Sequence, residues 1–494
     1  MTAPNLSECL TGFVDDDIEK LAIAGFSLDS RTIQPGEVFV AMSGSQTDGS
    51  MYIEQAVASG ASAVLVNAAG DGDSSDQFFR NARIIPVNDL ARHLGPIAKR
   101  FYLQDGAPSS IVAVTGTNGK TTISHLVAQA VVHMSHQVLE AGLVGTLGAG
   151  LVNHLNVSNN TTPNAIELQK LIGQMASLGV RLVALEASSH GLDQHRLNGV
   201  DITTGVWSNV SRDHLDYHGS MDAYLAAKCK LHEFESLKTV WFNLDDPVCA
   251  QLAQTCGDHS FNVRGYGLQN AAADLSVIEH ESTDAGTRLT LSCGERHYQV
   301  MSPLIGRFNF YNLAAAFGAL MSEGFSGEQV EDGLSQVMPV PGRLETLRMP
   351  DCPTWVIDYA HTPDALEKAL LSIRPYCDGQ LYLVFGCGGN RDRGKRAEMA
   401  AVADQYADRV VVTNDNPRYE SPEQIVDDIL QGFSGQKPEV ILDREDAMRW
   451  AWEHGQVGDV ILVAGKGHEP YQEVNGVRSE FSDAEMARTI AMKV

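Results

Sequence analysis

A glycine-bearing turn followed by Lys-Thr-Thr is the feature of the sequence with the clearest chemistry. In residues 111–126, IVAVTGTNGKTTISHL, an apolar run of the strand type leads through this turn into a helical pattern. Gly116 and Gly119 let the backbone wrap an anion, Lys120 supplies positive charge, and the Thr121 hydroxyl can bind Mg²⁺. Two residues separate the glycines where the usual loop has four. The sequence therefore predicts a shortened phosphate-binding loop.

Two further segments place groups where a nucleotide-bound metal could be held. The apolar run 182–186 ends on Glu186, and ligands of open α/β sheets bind at the carboxyl ends of strands. The alternative is a capping or ion-paired glutamate. Segment 208–234 combines histidines and aspartates, which could ligate metal or be merely solvated. In its helical part Lys228 falls on the apolar stripe, so it either snorkels or is a neutral amine able to react with CO₂.

Four segments of the C-terminal third share paired opposite charge. Segments 355–366, 384–396, 411–422 and 463–472 each follow an apolar run and precede a helical pattern, which predicts that they meet at one edge of one sheet. Their charges suit a zwitterionic ligand, although solvated surface charge is the alternative. The charged residues are Arg391, Arg393, Asp415, Arg418, Lys466 and Glu469. A nicotinamide site is rejected, because Arg391 stands where the dinucleotide fingerprint needs glycine.

The elements that position these groups are strands alternating with helices. From about residue 110 this alternation predicts βαβ units and an α/β fold with mainly parallel sheets. Strands are predicted at 111–115, 182–186, 239–243, 355–359, 381–385, 410–413 and 460–464. A helix is predicted at 163–177 with Thr162 as its N-cap. Alternating polar and apolar residues near 274–301 predict a small antiparallel insertion.

Length and composition limit the class of protein. A chain of 494 residues predicts about three domains. Turn-rich stretches at 104–110 and 338–343 divide it into 1–107, 108–340 and 341–494. The formal charge of −26 argues against nucleic-acid or anionic-membrane binding. Eight scattered cysteines, with no signal peptide and no long apolar run, predict a soluble cytoplasmic protein without a membrane span.

Several motifs together resemble one enzyme family, the Mur ligases of bacterial peptidoglycan synthesis. The resemblance runs in order from about residue 28 to residue 469. The motifs are TGTNGKTT, EASSHGLDQHR, SNVSRDHLDYHGSMDAYLAAK, GRFNFYNLAAA, PGRLE, DYAHTPD, GCGGNRDRGKR and AGKGHE. The resemblance implies an N-terminal α/β domain for a UDP-sugar, a central P-loop-type ATPase domain with the small insertion, and a C-terminal Rossmann-like domain for an amino acid.

The resemblance also implies the reaction. ATP phosphorylates the D-glutamate carboxylate of UDP-N-acetylmuramoyl-L-alanyl-D-glutamate, and the amine of meso-2,6-diaminopimelate attacks the acyl phosphate. The tetrad DNPR at 415–418 is the family's mark of diaminopimelate preference over lysine, because Arg418 can pair with the extra carboxylate. The expected partners are these small molecules, ATP and Mg²⁺, with no nucleic acid, and the expected state is a monomer.

By the same resemblance, individual residues receive roles. The catalytic and metal-binding set is Lys120, Thr121, Glu186, His214 and Lys228, the last carbamylated. The ATP-binding set is Gly116, Thr117, Asn118, Gly119, Lys120, Thr121, Thr122, Asn309, Arg343, Asp358 and His361. The UDP-sugar set is Leu28, Ser30, Ser45, Gln46, Thr47, Asn160, Thr161, Thr162, Ser188, Gln194 and Arg196. The diaminopimelate set is Arg391, Asp415, Asn416, Pro417, Arg418, Gly465 and Glu469.

Other functions stay open at this point. A lysine-adding relative or a folylpolyglutamate-synthase-like enzyme would share the shortened phosphate loop but should lack DNPR or the NNTTP segment at 159–163. A nucleotide-binding regulator that has lost catalysis would be expected to lack Lys228 or Glu186. Both residues are present.

Overall fold

The computed structural model describes residues 4–14, 18–42, 48–68, 77–79, 82–104, 106–135, 140–158, 160–256, 260–283, 286–435 and 437–492. Within these residues, three large sheets span 25–87, 110–302 and 345–464. The domain limits at residues 107 and 340 stay predictions. Ser45, Gln46 and Thr47, predicted to contact the nucleotide sugar, lie outside the described residues.

The N-terminal sheet is mainly parallel. Its strands are β1 (Gly25–Ser27), β2 (Glu37–Ala41), β3 (Ala63–Asn67), β4 (Gln77–Phe79) and β5 (Ala82–Val87). They pair in the order β1-β2-β3-β5-β4, and only β4 is antiparallel among these strands. The helices are α1 (Leu6–Leu10), α2 (Ile53–Ala58) and α3 (Leu90–Tyr102). Leu90, Leu94 and Ile97 recur at helical spacing in α3, so one face of that helix is buried in the domain core.

The strands of the central sheet surround β6. They are β6 (Ser110–Thr115), β7 (Gly142–Gly145), β8 (Gly148–Leu151), β9 (His154–Asn156), β10 (Leu182–Glu186), β11 (Thr204–Trp207), β12 (Thr239–Asn243), β13 (Asn262–Leu268), β14 (Leu275–Thr283), β15 (Gly286–Cys293) and β16 (Arg296–Ser302). Their order is β16-β15-β14-β13-β12-β11-β6-β10-β7-β8-β9. The strands from β14 to β7 in this order are parallel. Consequently the loops after β6, β7, β10 and β11 meet at one edge.

Helices cover both faces of the central sheet. They are α4 (Lys120–Met134), α5 (Ala165–Ser177), α6 (Ser189–Asp193), α7 (Leu215–His218), α8 (Met221–Cys229), α9 (Pro247–Thr255), α10 (Arg307–Ser322) and α11 (Gly327–Ser335). Helix α4 is apolar nearly all round because β6 and β10 pack on one side of it and α10 and α11 on the other. Strands β14, β15 and β16 form the predicted antiparallel insertion, which extends the sheet.

The C-terminal sheet has the order β17-β18-β22-β19-β20-β21. Its strands are β17 (Glu345–Leu347), β18 (Thr354–Asp358), β19 (Leu381–Phe385), β20 (Arg409–Val412), β21 (Glu439–Val440) and β22 (Val460–Ala464). Its helices are α12 (Pro363–Ile373), α13 (Gly394–Tyr406), α14 (Pro422–Leu430), α15 (Arg444–His454) and α16 (Asp483–Ala491). Strands β18, β22, β19 and β20 are parallel, so the four charged segments do gather at one edge, as predicted.

The predicted strands coincide with observed ones or differ by one residue, whereas the predicted start of α5 is wrong. The helix begins at Ala165, and the Asn164 side chain caps it. The Thr162 hydroxyl instead donates to the Glu186 carbonyl oxygen at 2.7 Å, so a tertiary contact has replaced the local cap. Within the described ranges, no helix combines the length and apolar composition that crossing a membrane requires.

A buried ion pair supports the edge of the C-terminal sheet where the four charged segments meet. Arg444 and Asp483 begin α15 and α16, and their side chains meet with N–O distances of 2.7 and 2.8 Å. Arg444 also donates to the carbonyl oxygens of Asn414 and Ala464, at 3.2 and 3.0 Å. The Asn414 carbonyl follows β20 and the Ala464 carbonyl ends β22. The ion pair therefore connects the ends of both strands to the starts of α15 and α16.

We predict that Asp483→Ala lowers the free energy of unfolding by about 3–5 kcal/mol, because it leaves a buried guanidinium without its charge partner. Urea unfolding followed by tryptophan fluorescence measures this loss. Glu485→Ala, which removes an exposed carboxylate from the same helix, is the control and should change the free energy by less than about 0.5 kcal/mol. Equal unfolding midpoints for the two variants would contradict the prediction.

Candidate active site

The phosphate-type loop lies between β6 and α4 and is held by the segment after β11. Gly116 has φ +137°, and a Cβ there would lie 2.0 Å from the Ser208 Oγ. The Asn118 backbone N–H donates to Asn209 Oδ1 at 3.0 Å, and the Thr117 N–H donates to the Asn209 carbonyl at 2.8 Å. Only glycine satisfies both the conformation and the close approach at residue 116. The loop therefore leads directly into the free N–H groups at the start of α4.

Two lysines share one carbonyl oxygen of this loop. Lys120 Nζ donates to the carbonyls of Gly116 and Thr117 at 2.9 Å each, and Lys228 Nζ donates to Gly116 at 2.8 Å. Lys228 is 1% exposed, so it does not snorkel. Burial, and then the charge of Lys120, hold the pKa of Lys228 well below its ordinary value. Its amine is therefore shifted toward the neutral form.

Glu186 is a buried carboxylate at the end of β10. It accepts hydrogen bonds from the Thr121 hydroxyl at 3.0 Å and from the Thr146 N–H and hydroxyl at 2.8 and 3.0 Å. These donors are neutral groups, so they orient the carboxylate without opposing its charge. Glu186 and Thr121 thus present hard oxygen atoms side by side at the start of α4, where the phosphates of a nucleotide would lie.

The donor set fits Mg²⁺ bound together with phosphates, not a cage made by protein alone. Mg²⁺ is usually held by one or two carboxylates plus substrate phosphates and water. Across the described part of the chain, no three His, Cys, Asp or Glu side chains converge as a metal site. His214, predicted as a ligand, lies at φ +54° before α7 with its Nε2 3.5 Å from Asp213 Oδ2. Thr121 and Glu186 are the predicted ligands that the structure brings into direct contact.

The C-terminal domain closes over the phosphate loop. Arg343 Nη2 donates to the Thr121 hydroxyl at 3.1 Å, and Asn118 Nδ2 donates to Asp364 Oδ2 at 3.1 Å. The Arg343 guanidinium also lies 4.6 Å from the centre of the Tyr359 ring. The two hydrogen bonds cross from the central domain to the C-terminal one, so they bring the ends of β6 and β18 together.

The remaining predicted ATP residues line or support this contact. Asp358 accepts from the backbone N–H groups of Leu344 and Ala360, at 2.7 and 2.8 Å, and burial raises its pKa. His361 shares a hydrogen bond with the Tyr359 carbonyl at 2.8 Å, and burial lowers its pKa. Asn309, in the first turn of α10, donates to the carbonyl oxygen of Ile305, which precedes the helix, at 2.7 Å. Asp358 and Asn309 therefore act here as supports of the backbone.

Residues predicted for the UDP-sugar form a group beside Glu186. The Thr162 hydroxyl lies 2.9 Å from that of Ser188, and Arg196 Nη1 donates to the Thr162 carbonyl at 2.8 Å. Gln194 Oε1 accepts from Arg196 Nη2 at 2.6 Å. The Thr161 and Thr146 hydroxyls are 3.1 Å apart, which links this group to the carboxylate that Thr146 also contacts.

The other described UDP-sugar residues are more widely distributed. Asn160 is exposed on the same loop as Thr161. Leu28 and Ser30 are positioned by the N-terminal domain, where the Ser30 hydroxyl donates to Gln55 Oε1 at 3.1 Å. Leu28 packs against a core that includes Ala165 and Ile166 of α5. That shared core places the N-terminal domain against the central one.

The predicted amino-acid residues lie together at the C-terminal sheet edge. Asn416 Oδ1 accepts from Lys466 Nζ at 3.1 Å, and its Nδ2 donates to Glu469 Oε2 at 2.7 Å. Arg418 Nη1 donates to the Gly389 carbonyl at 2.8 Å. Burial raises the pKa of Glu469, and Lys466 acts in the opposite direction. The site thus combines the buried carboxylate of Asp415 and the half-buried one of Glu469 with a guanidinium, a set that suits a zwitterionic ligand.

The other residues predicted for the amino-acid site are not all directed into it. Gly465 approaches Asp415, since a Cβ at Gly465 would lie 2.5 Å from Asp415 Oδ2. Arg391 is exposed beside Gly388, and Pro417 lies under Gly389. Arg393 does not join the group, because Asp428 of α14 binds its guanidinium at 2.9 Å.

Sequence reasoning missed Thr146, Asn209 and Tyr224. Thr146 orients Glu186, Asn209 holds the phosphate loop, and the Tyr224 hydroxyl lies 3.1 Å from the Thr117 hydroxyl. Asn209 falls in the SNVSRD segment directly after a strand, which was a signal for it. Nothing in the local sequence around Thr146 distinguishes it from an ordinary turn residue.

The fold and the site define a class: three α/β domains in which a nucleotide-type phosphate loop and a charged amino-acid-type site face each other. Three family models match the chain. The Mur ligase family, catalytic domain, matches residues 22–102. The Mur ligase middle domain matches residues 114–320, and the Mur ligase, glutamate ligase domain, matches residues 342–467.

Curated relatives and a solved structure agree with this match. The UDP-N-acetylmuramoyl-L-alanyl-D-glutamate–2,6-diaminopimelate ligase of Ectopseudomonas mendocina is 44% identical over 462 residues, covering 93% of each chain. The ligase of the same name from Pseudomonas aeruginosa is 43% identical over 468 residues, covering 94% of each chain. A solved structure of a ligase of that name is 38% identical with a TM-score of 0.71, covering 99% of both chains.

The chain belongs to the Mur ligase family. Both the resemblance and the expected three-domain α/β architecture are confirmed.

We predict that Arg343→Met weakens the binding of a non-hydrolysable ATP analogue by about 10- to 100-fold, because a charged hydrogen bond to the phosphate-loop helix is lost. Isothermal titration calorimetry measures the affinity. Arg348→Met, at an exposed arginine five residues further on, is the matched control and should keep the wild-type affinity. Equal affinities for the two variants would refute a role of Arg343 in the nucleotide site.

Proposed function

We propose that this chain is an ATP-dependent ligase that joins meso-2,6-diaminopimelate to UDP-N-acetylmuramoyl-L-alanyl-D-glutamate. The observation that carries the proposal is the DNPR segment, held at the C-terminal sheet edge in a domain that closes on the phosphate loop. The names of the closely similar relatives support the same substrates. The reaction would be a step of peptidoglycan synthesis in the cytoplasm, carried out by a monomer with domains 1–107, 108–340 and 341–494.

The first step is phosphorylation of the D-glutamate carboxylate. A carboxylate oxygen attacks the γ-phosphorus of ATP, the bond to the bridging oxygen breaks, and ADP leaves. Residues 116–122 would cradle the phosphates with backbone N–H groups, and Lys120 would turn from its loop carbonyls to the developing charge. Thr162, Ser188, Gln194 and Arg196 lie beside Glu186, where they can hold the substrate end that carries the carboxylate.

The second step forms the amide bond. The neutral amine of diaminopimelate attacks the acyl carbon, a tetrahedral intermediate forms, inorganic phosphate leaves with its bonding electrons, and the nitrogen loses a proton. Arg418 suits the carboxylate that diaminopimelate has and lysine lacks. Asp415 and Glu469 suit the ammonium group at the same end, and Arg391 suits a second carboxylate. Domain closure would hold the amine in line with the acyl phosphate.

The site would also use Mg²⁺ and a modified lysine. Mg²⁺ would neutralise phosphate charge, with Thr121, Glu186 and His214 as its protein ligands. The Lys228 Nζ lone pair would attack the carbon of CO₂, an oxygen would take the displaced C=O electron pair, and the nitrogen would release a proton to water. The resulting carbamate is an anionic oxygen ligand. The burial of Lys228 and its lowered pKa support this modification.

We expect the purified protein to release phosphate from ATP only when both UDP-N-acetylmuramoyl-L-alanyl-D-glutamate and meso-diaminopimelate are supplied. A coupled phosphate assay with L-lysine and L-glutamate as alternative acceptors measures the preference. The physical reason is that the half-buried guanidinium of Arg418 would be left without its carboxylate partner when lysine binds, which makes lysine the poorer acceptor. If lysine supports the same kcat/KM, the assignment of Arg418 fails, and a preference for glutamate would favour the folylpolyglutamate-synthase-like alternative.

We expect Lys228→Ala to abolish turnover, and bicarbonate not to restore it, because the anionic ligand cannot form. Lys230→Ala is the matched control, since Lys230 pairs with Asp193 at 2.8 Å and is partly exposed. After incubation with ¹³C-bicarbonate, a carbamate carbon signal should appear by NMR in the wild type and in Lys230→Ala, and be absent from Lys228→Ala. Near-normal turnover of Lys228→Ala, or the same signal in all three proteins, would disprove the modification.

A further inference from the structure

A two-stranded hairpin stands apart from the C-terminal sheet and contacts the DNPR segment. It is formed by β23 (Tyr471–Val474) and β24 (Val477–Glu480), and we refer to residues 471–480 as the C-terminal hairpin. Its turn residues Asn475 and Gly476 have φ +52° and +77°, the conformation of a tight type I′ turn. The hairpin follows Lys466 and Glu469, so it belongs to the same edge as the amino-acid site.

Side-chain and backbone groups of the hairpin hold the start of the DNPR segment. Gln472 Nε2 donates to the Asp415 carbonyl oxygen at 2.8 Å. The Glu473 N–H donates to Asn416 Oδ1 at 2.9 Å. Asn416 in turn contacts Lys466 and Glu469, so the hairpin orients a residue at the centre of the charged site.

The hairpin also determines the backbone conformation of Arg418. The Arg418 N–H donates to the Glu473 carbonyl at 3.0 Å, and the Arg418 carbonyl accepts from the Asn475 N–H. Arg418 therefore pairs with the hairpin as a single-residue third strand, next to Val474. Its φ is +55°, a left-handed conformation that is unfavourable for a residue with a Cβ. Such a conformation persists only where surrounding contacts enforce it, and here the hairpin supplies them.

The hairpin depends on the same contacts for its own order. An isolated two-stranded hairpin is marginally stable in water. This one is exposed along β24, and its Tyr471 ring lies 4.2 Å from the Arg478 guanidinium carbon and 5.5 Å from Lys466 Nζ. Its base is closed by a hydrogen bond of 3.0 Å from the Phe481 N–H to the Pro470 carbonyl. Hairpin and DNPR segment thus form one unit, and Lys466, which follows β22, donates to Asn416 within it.

We propose that the C-terminal hairpin is a specificity-determining element and that Gln472 is its positioning residue, which aims Arg418 at the acceptor's distal carboxylate by holding the Asp415 backbone. This inference rests on the proposed function. Gln472 acts on Arg418 through the DNPR backbone and need not touch the amino acid. Loss of its N–H donor frees the Asp415 carbonyl, so the segment that carries Arg418 can shift. A bidentate pair is sensitive to such a shift because both N–H···O contacts need one geometry.

The test is a double-mutant cycle in the full chain, with Gln472→Met as the variant that keeps side-chain length but lacks the donor. We expect the KM for meso-diaminopimelate to rise about tenfold, with kcat and the KM for ATP within twofold of the wild type. In an Arg418→Ala background, Gln472→Met should have no further effect on that KM, because the residue through which it acts is gone. Ser479→Ala is the control, since the Ser479 hydroxyl donates to the Gln472 carbonyl oxygen at 3.3 Å, within the hairpin, and not to the DNPR segment as the structure describes it.

The outcomes separate the two hypotheses. A wild type that is inactive with diaminopimelate overturns the proposed function, and the hairpin role with it. A wild type that is active, with an unchanged KM in Gln472→Met, overturns only the hairpin role. Equal and additive rises of KM in both backgrounds, or a matching rise in Ser479→Ala, would show a general structural effect and likewise overturn it.

Discussion

The arrangement of the catalytic region depends on two lysines that share the Gly116 carbonyl where little water can reach. Two ammonium groups in such a place would repel each other, and each would also be costly to desolvate. Burial lowers the pKa of both lysines, that of Lys228 to well below its ordinary value, so the repulsion is relieved by a shift of Lys228 toward the neutral form, while Lys120 stays half-buried at the start of α4. A neutral Lys228 is the form that can become a carbamate. One constraint therefore links the glycine loop, the proposed cation for phosphate, Lys120, and the proposed anionic metal ligand, Lys228.

The carboxyl ends of the parallel strands in two sheets face each other, which explains how groups from different domains can take part in one reaction. In the central sheet, the parallel strands β7, β10, β6 and β11 deliver Thr146, Glu186, the phosphate loop and Asn209 to one place. The C-terminal sheet repeats the arrangement with its four charged loops and meets the first edge through Arg343. The N-terminal domain is attached by the α3–α5 contact and by Lys99, which pairs with Asp201 at 2.6 Å. Each domain can then present its own ligand to a common centre.

The net negative charge of the chain excludes some partners but does not predict the charge of its small-molecule substrates. A formal charge of −26 disfavours polyanionic partners, yet the proposed substrates are themselves anions. Their attraction must come from local cations in partly buried positions, where screening by water is weaker. Lys120, Arg343 and Arg418 are such groups, and each is oriented by hydrogen bonds to the chain. At these sites the attraction of an anion by nearby, oriented cations would therefore exceed its repulsion by the net negative charge of the chain.

The sequence by itself determined seven strands of the central and C-terminal sheets and the polar and charged segments that follow them. Apolar runs located seven strands to within a residue, and period-2 alternation located the antiparallel insertion. The order strand, glycine turn, Lys-Thr-Thr, helix located the turn between β6 and α4. Because parallel strands share an edge, the sequence also predicted that four distant loops would meet. Tertiary structure alone decided which partner each side chain takes: Thr162 binds the Glu186 carbonyl instead of capping α5, and Arg393 turns to Asp428. It also brought Thr146 to Glu186 and the hairpin to Arg418. These contacts join residues far apart in the chain, and their energies depend on burial and distance, which no local pattern encodes.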